Sequence, residues 1–548
     1  MPRALLSLVV WALVLAAAGL AAPVRAVPQR DLCLFETPHF DVYYSPAERE
    51  AARQVAVLAE RSYTELSRLF ERSLARRHSI VLYPTGSRYR AEVTAGGMLS
   101  AGSGGVTRGE HAAIAMPIGA SLAETEHVVA HELVHAFQYE AASRSNPPFP
   151  AVPPWFVEGM AECLALGADH PGVLAWARDA SRRARGPALA ELSDPKHLPY
   201  LAGHGAWRFL FARYGRDVGR RLLAAPGNSL EARLHAVTGL TLGELADSWR
   251  RSLRAEFGGG HGRIDGRVVA RDAVGPSLSP DGRLLAWASP GEPARLWLSD
   301  AASGVVRRRL LDPATNPRYD SLHALDSAGA WDPSGRRIAF GASRGGQAFI
   351  AITNAATGNL EREVGLDEPG EIRGPAWSPD GRRLAFSGLA GGRTDLYVYD
   401  LEAGTLRRLT SDAYAELQPA WSPDGATLVF ASDRFTTDLD ALRPGLLRLA
   451  AIDVATSTIR ELPGTSGGRN FSPRFGRGGE LFFVADPDGS PSVYRVPLSG
   501  GEASRVTPPG VEVTGPTPSG PVLSATRGGA LAFSFFRDGR YQVALVRP

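Results

Sequence analysis

The 548-residue sequence predicts a multidomain chain in which an α+β unit is followed by an all-β unit built from six repeats. Three observations carry that expectation. The chain is too long for one ordinary hydrophobic core. Up to about residue 257, apolar residues switch between helical and strand spacing. Beyond a glycine-rich stretch, one short motif recurs six times.

The first 26 residues stand apart. Arg3 gives a short positive start, "ALLSLVVWALVLAAAGLAA" is uncharged and apolar, and "VRA" puts small or apolar residues where a signal peptidase reads. Export with cleavage after Ala26 is expected, with Ala22 as the alternative. An uncleaved anchor is the competing reading, since the run approaches the length of a bilayer span. No later stretch is long and apolar enough to span, so the mature chain is expected to be soluble and periplasmic or secreted. Composition is that of a globular protein, 44% apolar and 21% charged. With 60 basic and 57 acidic residues the net charge is +3, which offers no electrostatic case for nucleic acid.

The first unit is expected over residues 31–257. "HFDVYY", "HSIVLYP" and the shorter "AAIAMP" read as strands. Between the first two, "SPAEREAARQVAVLAERSYTELSRLFERS" has apolar positions at helical spacing and opens on Ser45 and Pro46, a fitting helix start. "SLAETEHVVAHELVHAFQYEAA" follows, with Ser121 and Glu124 as a capping box. Further helices, including "HGAWRFLFARYG" and "TLGELADSWRRSLRAEF", close the unit. Only Cys33 and Cys163 are present. In an exported protein they could pair, but Cys163 lies in an apolar helical stretch where a buried thiol is the simpler reading.

Residues 258–263 read as a flexible glycine linker, and the second unit runs over 264–548. "LSPDGRLLAWAS", "WDPSGRRIAFGAS", "WSPDGRRLAFSG" and "WSPDGATLVFAS" are followed by two degenerate copies, "FSPRFGRGGELFFVA" and "LSATRGGALAFSF". Their turn glycines, Gly282, Gly335, Gly381, Gly425, Gly479 and Gly529, are 44 to 54 residues apart. Each copy is a strand, a tight turn, a second apolar strand and usually a further strand pair. Four strands at this period are the mark of propeller blades, and six copies mean six blades. The last copy has residues for only three strands. "GRVVARD", at 266–272, looks like an outer strand without a blade of its own, and is expected to close the ring. These repeats resemble the TolB-type six-bladed β-propeller, a resemblance that speaks for fold and for a binding role rather than for chemistry.

The stretch "HELVHAF", 131–137, carries the chemistry. Residues four apart share a helix face, so His131 and His135 can meet one cation, with Glu132 beside them to take a proton. Alone, the motif fits a hydrogen-bonded histidine pair equally well. His127 extends the row by one turn, as a surface or outer-layer residue. The deciding stretch is "PPWFVEGMAECLAL", where Pro153 and Pro154 start a helix bearing Glu158 and Glu162 one turn apart. Two carboxylates on an apolar face are costly without a positive partner. A catalytic zinc takes three protein ligands and an open fourth position, and Glu158 would complete that set. Glu162 could accept the second N–H of a ligating histidine.

At these positions the sequence resembles the gluzincin metallopeptidases, the thermolysin-like zincins in which "HExxH" is followed by "W-x-x-E-G-x-A-E". The likeness covers about residues 34–250 and includes "TPHFDVYY" and "YLAGHGAWRFLFARYG". It implies a zincin-like fold, one zinc ion held by His131, His135 and Glu158, and peptide hydrolysis with Glu132 as general base. A donor for the developing oxyanion is then needed, with Tyr200 preferred over His204. The strand "AAIAMP" is a candidate edge for an extended peptide. The propeller would bind the protein substrate or an envelope partner. The rival reading is a non-catalytic cell-envelope binding protein that works through its propeller; Glu132 speaks against it, since a retired enzyme has no need of the base. A prolyl-oligopeptidase-like serine peptidase is a third reading, less expected because no α/β-hydrolase unit follows the repeats. "GTSGG" around Ser466 and "SDPK" at Ser193 to Lys196 imitate nucleophile motifs without their context and read as turns.

Overall fold

The computed structural model describes residues 32–95, 104–143, 152–183, 186–189, 191–193, 199–259, 262–290, 294–312, 318–319, 321–322, 329–465, 467–517 and 520–547. The export segment, Lys196 and Ser466 lie outside the described residues. None of the described helices is long and apolar enough to cross a membrane.

The N-terminal unit is α/β, with one five-stranded sheet and nine helices among the described residues. The strands are β1 (Cys33–Glu36), β2 (Phe40–Tyr44), β3 (His78–Tyr83), β4 (Val106–Arg108) and β5 (Ala113–Pro117), in the order β1-β2-β3-β5-β4. The central pairs β2–β3 and β3–β5 are parallel; both outer pairs are antiparallel. This corrects the reading of "AAIAMP" as an edge. β5 is covered by β4, whose three residues follow two glycines and give no strand period to read.

Helix α1 (Arg49–Phe70) crosses from β2 to β3 and buries Val55, Ala59, Tyr63, Leu66 and Phe70, a row at helical spacing. It begins later than Ser45 and Pro46 suggested, because Pro46–Glu48 form a separate 3-10 turn and no side chain caps the helix. After α2 (Gly86–Ala95) comes α3 (Leu122–Ser143), whose Phe137 stacks on Phe70 at 5.5 Å. The Ser121 hydroxyl accepts from the Glu124 N–H at 3.1 Å, while the Glu124 carboxylate takes the Ala120 N–H at 2.8 Å instead of that of Ser121. The capping box is therefore shifted by one residue. The remaining helices are α4 (Pro154–Leu166), α5 (Pro171–Arg182), α6 (Pro199–Tyr214), α7 (Val218–Ala224), α8 (Leu230–Thr238) and α9 (Leu242–Phe257). Cys33 and Cys163 are unbonded, and burial raises the Cys163 thiol pKa to about 12.

The C-terminal unit is a six-bladed β-propeller. Blades one to five span 274–311, 321–366, 371–408, 416–461 and 470–505. The sixth holds Leu523–Ala525, Leu531–Arg537, Arg540–Val546 and β6 (Arg267–Arg271), which pairs antiparallel with the last strand. The N-terminal strand thus closes the ring, leaving no unpaired blade edge at the chain ends.

The repeated tryptophans explain their own recurrence. Each indole N–H donates to a backbone carbonyl of the preceding blade: Trp331 to Ser277, Trp377 to Ala330 (both 3.0 Å) and Trp421 to Ala376 at 3.1 Å. In the blades that lack the tryptophan, inner-strand side chains bridge instead. Gln418 Oε1 accepts from the Ser472 N–H at 2.6 Å, Ser472 Oγ from Val522 at 3.1 Å and Ser524 Oγ from Leu278 at 3.0 Å. These six bonds link every neighbouring pair of blades around the axis. At the rim, Arg267, Arg308, Arg362 and Arg407 on outer strands donate to turn carbonyls of the next blade.

The two units pack tightly, which differs from two bodies on a flexible tether. The turns between second and third strands face the N-terminal unit. Gly346 of blade two lies against Arg88, and Gly392 of blade three against Ala51. Arg61 donates to the Ala441 and Leu442 carbonyls of blade four at 2.7 and 2.9 Å. Asp179, almost wholly buried, accepts the Asp538 and Gly539 N–H groups of blade six at 2.7 and 3.0 Å. The linker is held too, since Gly262 bonds Gly510 and Arg537.

Trp377→Phe keeps the apolar ring and leaves the Ala330 carbonyl without its donor. A loss of about 1–2 kcal/mol is expected in chemical denaturation. An unchanged midpoint would show that the indole bond adds nothing to blade packing.

Candidate metal centre

Helices α3 and α4 lie side by side and bring the expected residues together. His131 Nε2 is 3.2 Å from Glu158 Oε2 and 3.1 Å from His135 Nε2, and His135 Nε2 is 3.3 Å from the same carboxylate oxygen. Four-coordinate zinc with bonds of about 2.0–2.1 Å places its ligands about 3.3 Å apart, so this triangle fits one face of such a site.

A hydrogen bond sets the tautomer of His135. Gln138 donates its amide to the Val157 carbonyl at 3.0 Å, which turns its oxygen toward His135 Nδ1 at 2.8 Å. His135 Nδ1 is then the donor, and its Nε2 lone pair faces the triangle. His131 Nδ1 faces Glu162 Oε1 at 3.3 Å, which leaves its Nε2 to the same centre. Two lone pairs and a carboxylate oxygen converging this closely repel unless a cation or proton lies between them. Without metal, a proton answers that need. Burial disfavours the His131 imidazolium, yet Glu158 and Glu162 outweigh it and raise its pKa to about 10. Burial likewise works against ionised Glu158, but bonds from His131 and His135 hold it at about 2. The donor set and its charge fit a divalent cation.

Glu132, 3% exposed, points to the sheet edge. The Thr107 hydroxyl on β4 lies 2.6 Å from its Oε2 and 2.9 Å from its carbonyl oxygen. Gly105 packs on the same carboxylate, and a Cβ there would come within 2.7 Å of Oε1. Tyr200 is 43% exposed, with its ring 6.5 Å from that of His131. Loss of water and the carboxylates of Glu158, Glu162 and Glu132 raise its pKa, which keeps the hydroxyl a donor at neutral pH. His204 is placed elsewhere: buried, with its Nε2–H given to the Gly167 carbonyl at 2.9 Å. Thr107 and Gln138 are site residues that the sequence reading missed. Gln138 carried a signal, one turn beyond His135; Thr107, 25 positions before Glu132 on a three-residue strand, carried none.

The placement of α4 depends on two glycines. Gly159 on α4 and Gly203 on α6 touch where the helices cross, and a Cβ on Gly203 would come within 2.5 Å of the Trp155 carbonyl oxygen. The close crossing brings Tyr200, one turn before Gly203, beside Glu158.

Comparison with known proteins agrees with this division. Residues 325–438 match the family described as the TolB beta propeller domain, and residues 111–185 match the Peptidase of plants and bacteria. Each match covers less than half of the chain. No curated protein matches the sequence. A protein assigned as a TolB from Agrobacterium tumefaciens is similar at 20% identity and TM-score 0.37, over 50% of this chain and 89% of that one. TolB from Acinetobacter baumannii is similar at 18% and 0.34, over 56% and 71%. The propeller domain of the Trilobed protease from Pyrococcus furiosus is similar at 12% and 0.34, over 50% and 79%.

Gly203→Ala is expected to force α4 and α6 apart, to cost about 1–3 kcal/mol of stability and to weaken divalent-metal binding. Thermal unfolding and metal titration test it. Wild-type values in both would show that the crossing does not set Glu158.

Proposed function

We propose that the chain is an exported, periplasmic or secreted zinc metallopeptidase of gluzincin type, with the propeller as a substrate- or partner-binding part. The observation that carries this reading is the meeting of His131 Nε2, His135 Nε2 and Glu158 Oε2 within 3.3 Å. The match of residues 111–185 to a peptidase family supports it. Zinc, when bound, would supply Lewis acidity toward the scissile carbonyl and the attacking water.

The chain's own residues would do the rest. Glu132 takes a proton from the attacking water and delivers it to the leaving amine. Thr107, bonded to the Glu132 carboxylate, fixes its direction. The Tyr200 hydroxyl donates to the carbonyl oxygen as negative charge gathers there. β4 lies at the sheet edge beside Glu132, so an extended peptide would pair with β4 rather than with β5. Glu162 holds the His131 ring through its Nδ1 and increases its strength as a donor.

Metal analysis of the purified mature protein, paired with cleavage of a diverse peptide library, tests the whole reading. One zinc per chain and cleavage are expected; a metal-free, inactive protein would overturn it. Glu132→Gln is expected to keep zinc and lose activity, because only the proton acceptor is removed. Full activity in that variant would refute the assigned mechanism. Glu162→Ala is expected to lower metal affinity or rate about 10–100-fold while the fold persists. Unchanged affinity and rate would remove Glu162 from the site.

A further inference from the structure

A second cluster adjoins the first. His127, one turn before His131 on α3, brings Nε2 to 3.3 Å from Glu162 Oε2, while His131 Nδ1 approaches Glu162 Oε1 at the same distance. The carboxylate thus lies between two imidazoles and presents a separate oxygen to each. It has no other hydrogen-bond or ion-pair partner among the described residues. Its side chain is 16% exposed, so solvent reaches it only in part. Both facing nitrogens are buried, and neither approach has hydrogen-bond alignment.

Two arrangements fit these atoms. Three such donors could hold a second cation, His131 bridging the two ions through both ring nitrogens. That requires His131 to surrender both protons and leaves no group to orient the ring toward the first ion. In the other arrangement His127 pins one Glu162 oxygen so that the second stays on His131 Nδ1. One oxygen per nitrogen favours the second arrangement, since a carboxylate held at one end cannot turn away at the other. Resting on the zinc reading above, we propose that His127 is a positioning residue for the metal centre, acting through Glu162 on His131.

The relay runs outward from the ion. His131 Nε2 binds it, the His131 Nδ1–H faces Glu162 Oε1 as donor, and Glu162 Oε2 accepts from the His127 Nε2–H. No proton is transferred in this role. His127 restricts the rotation of a carboxylate that otherwise has a single partner. Groups in this outer layer commonly change metal affinity about 10–100-fold, and a residue one step farther out belongs at the low end.

His127→Phe, in the full-length mature protein, retains ring volume and removes the donor. Zinc affinity, read by competition with a chromophoric chelator, is expected to fall about tenfold while the melting temperature of metal-free protein stays unchanged. The visible spectrum of the cobalt-substituted variant should change as the His131 ring loses its fixed orientation. His127→Gln can place an amide N–H toward Glu162, and is expected to restore most of the affinity. Wild-type affinity and spectrum in His127→Phe would overturn the positioning role while leaving the zinc reading intact. Two zinc ions per chain, falling to one in His127→Phe, would also overturn it and make His127 a ligand. Absence of zinc from the wild type would sink both proposals together.

Discussion

The interaction on which the site depends is the facing of two half-buried carboxylates on α4 with three imidazoles on α3. Charges of this kind are costly to bury alone, and each carboxylate here has two imidazole nitrogens within 3.3 Å. Burial disfavours a proton on His131, but the two carboxylates outweigh it; a divalent cation would satisfy the same donors. Such a cluster is stable only if the helices hold their spacing. The glycine crossing of α4 on α6, the Gln138 bond to Val157 and the packing of Phe137 on Phe70 all serve that spacing.

The acidic and phenolic groups that lie close together here have different surroundings. Burial works against ionised Glu158, but its imidazole neighbours His131 and His135 keep it ionised, which makes it a poor proton acceptor. The Glu132 carboxylate is bonded by Thr107 of β4. Tyr200 is held in its donor form by the carboxylates around it. Surroundings rather than residue type thus set the protonation of these groups.

What could be read in advance was what local period encodes. The i, i+4 pair on α3, the one-turn pair on α4 and the six turn motifs need only neighbours in sequence. The strand β6 was legible because its blade would otherwise lack an edge partner. β4 was not, because three residues after two glycines carry no alternation. Thr107 and Gly105 matter only once β4 is laid beside Glu132, a consequence of sheet order. The first turn of α1 was misjudged because Pro46 suits a 3-10 turn as well as an α-helical one. The packing of the two units was invisible as well. It rests on turn backbones: Asp179 reads the N–H groups of Asp538 and Gly539, and Arg61 the carbonyls of Ala441 and Leu442. Backbone recognition leaves little trace in side-chain identity.

That packing links the propeller to the site by contact. Ala120, just before α3, is buried in the same apolar cluster as Ala415 and Leu417 of blade four. Arg373 of blade three lies 3.7 Å from Glu124, and Arg61 joins Glu126 to the blade-four turn. The propeller therefore braces the N-terminal end of the helix that carries His131, Glu132 and His135. A cluster whose donor atoms lie 3.1–3.3 Å apart gains from such a brace, since site residues mounted on rigid, well-packed elements hold their geometry best. The same face is thereby occupied. A protein bound by the propeller would have to use the rim or the opposite face, where the tight turns at Gly282, Gly335, Gly381 and Gly425 lie.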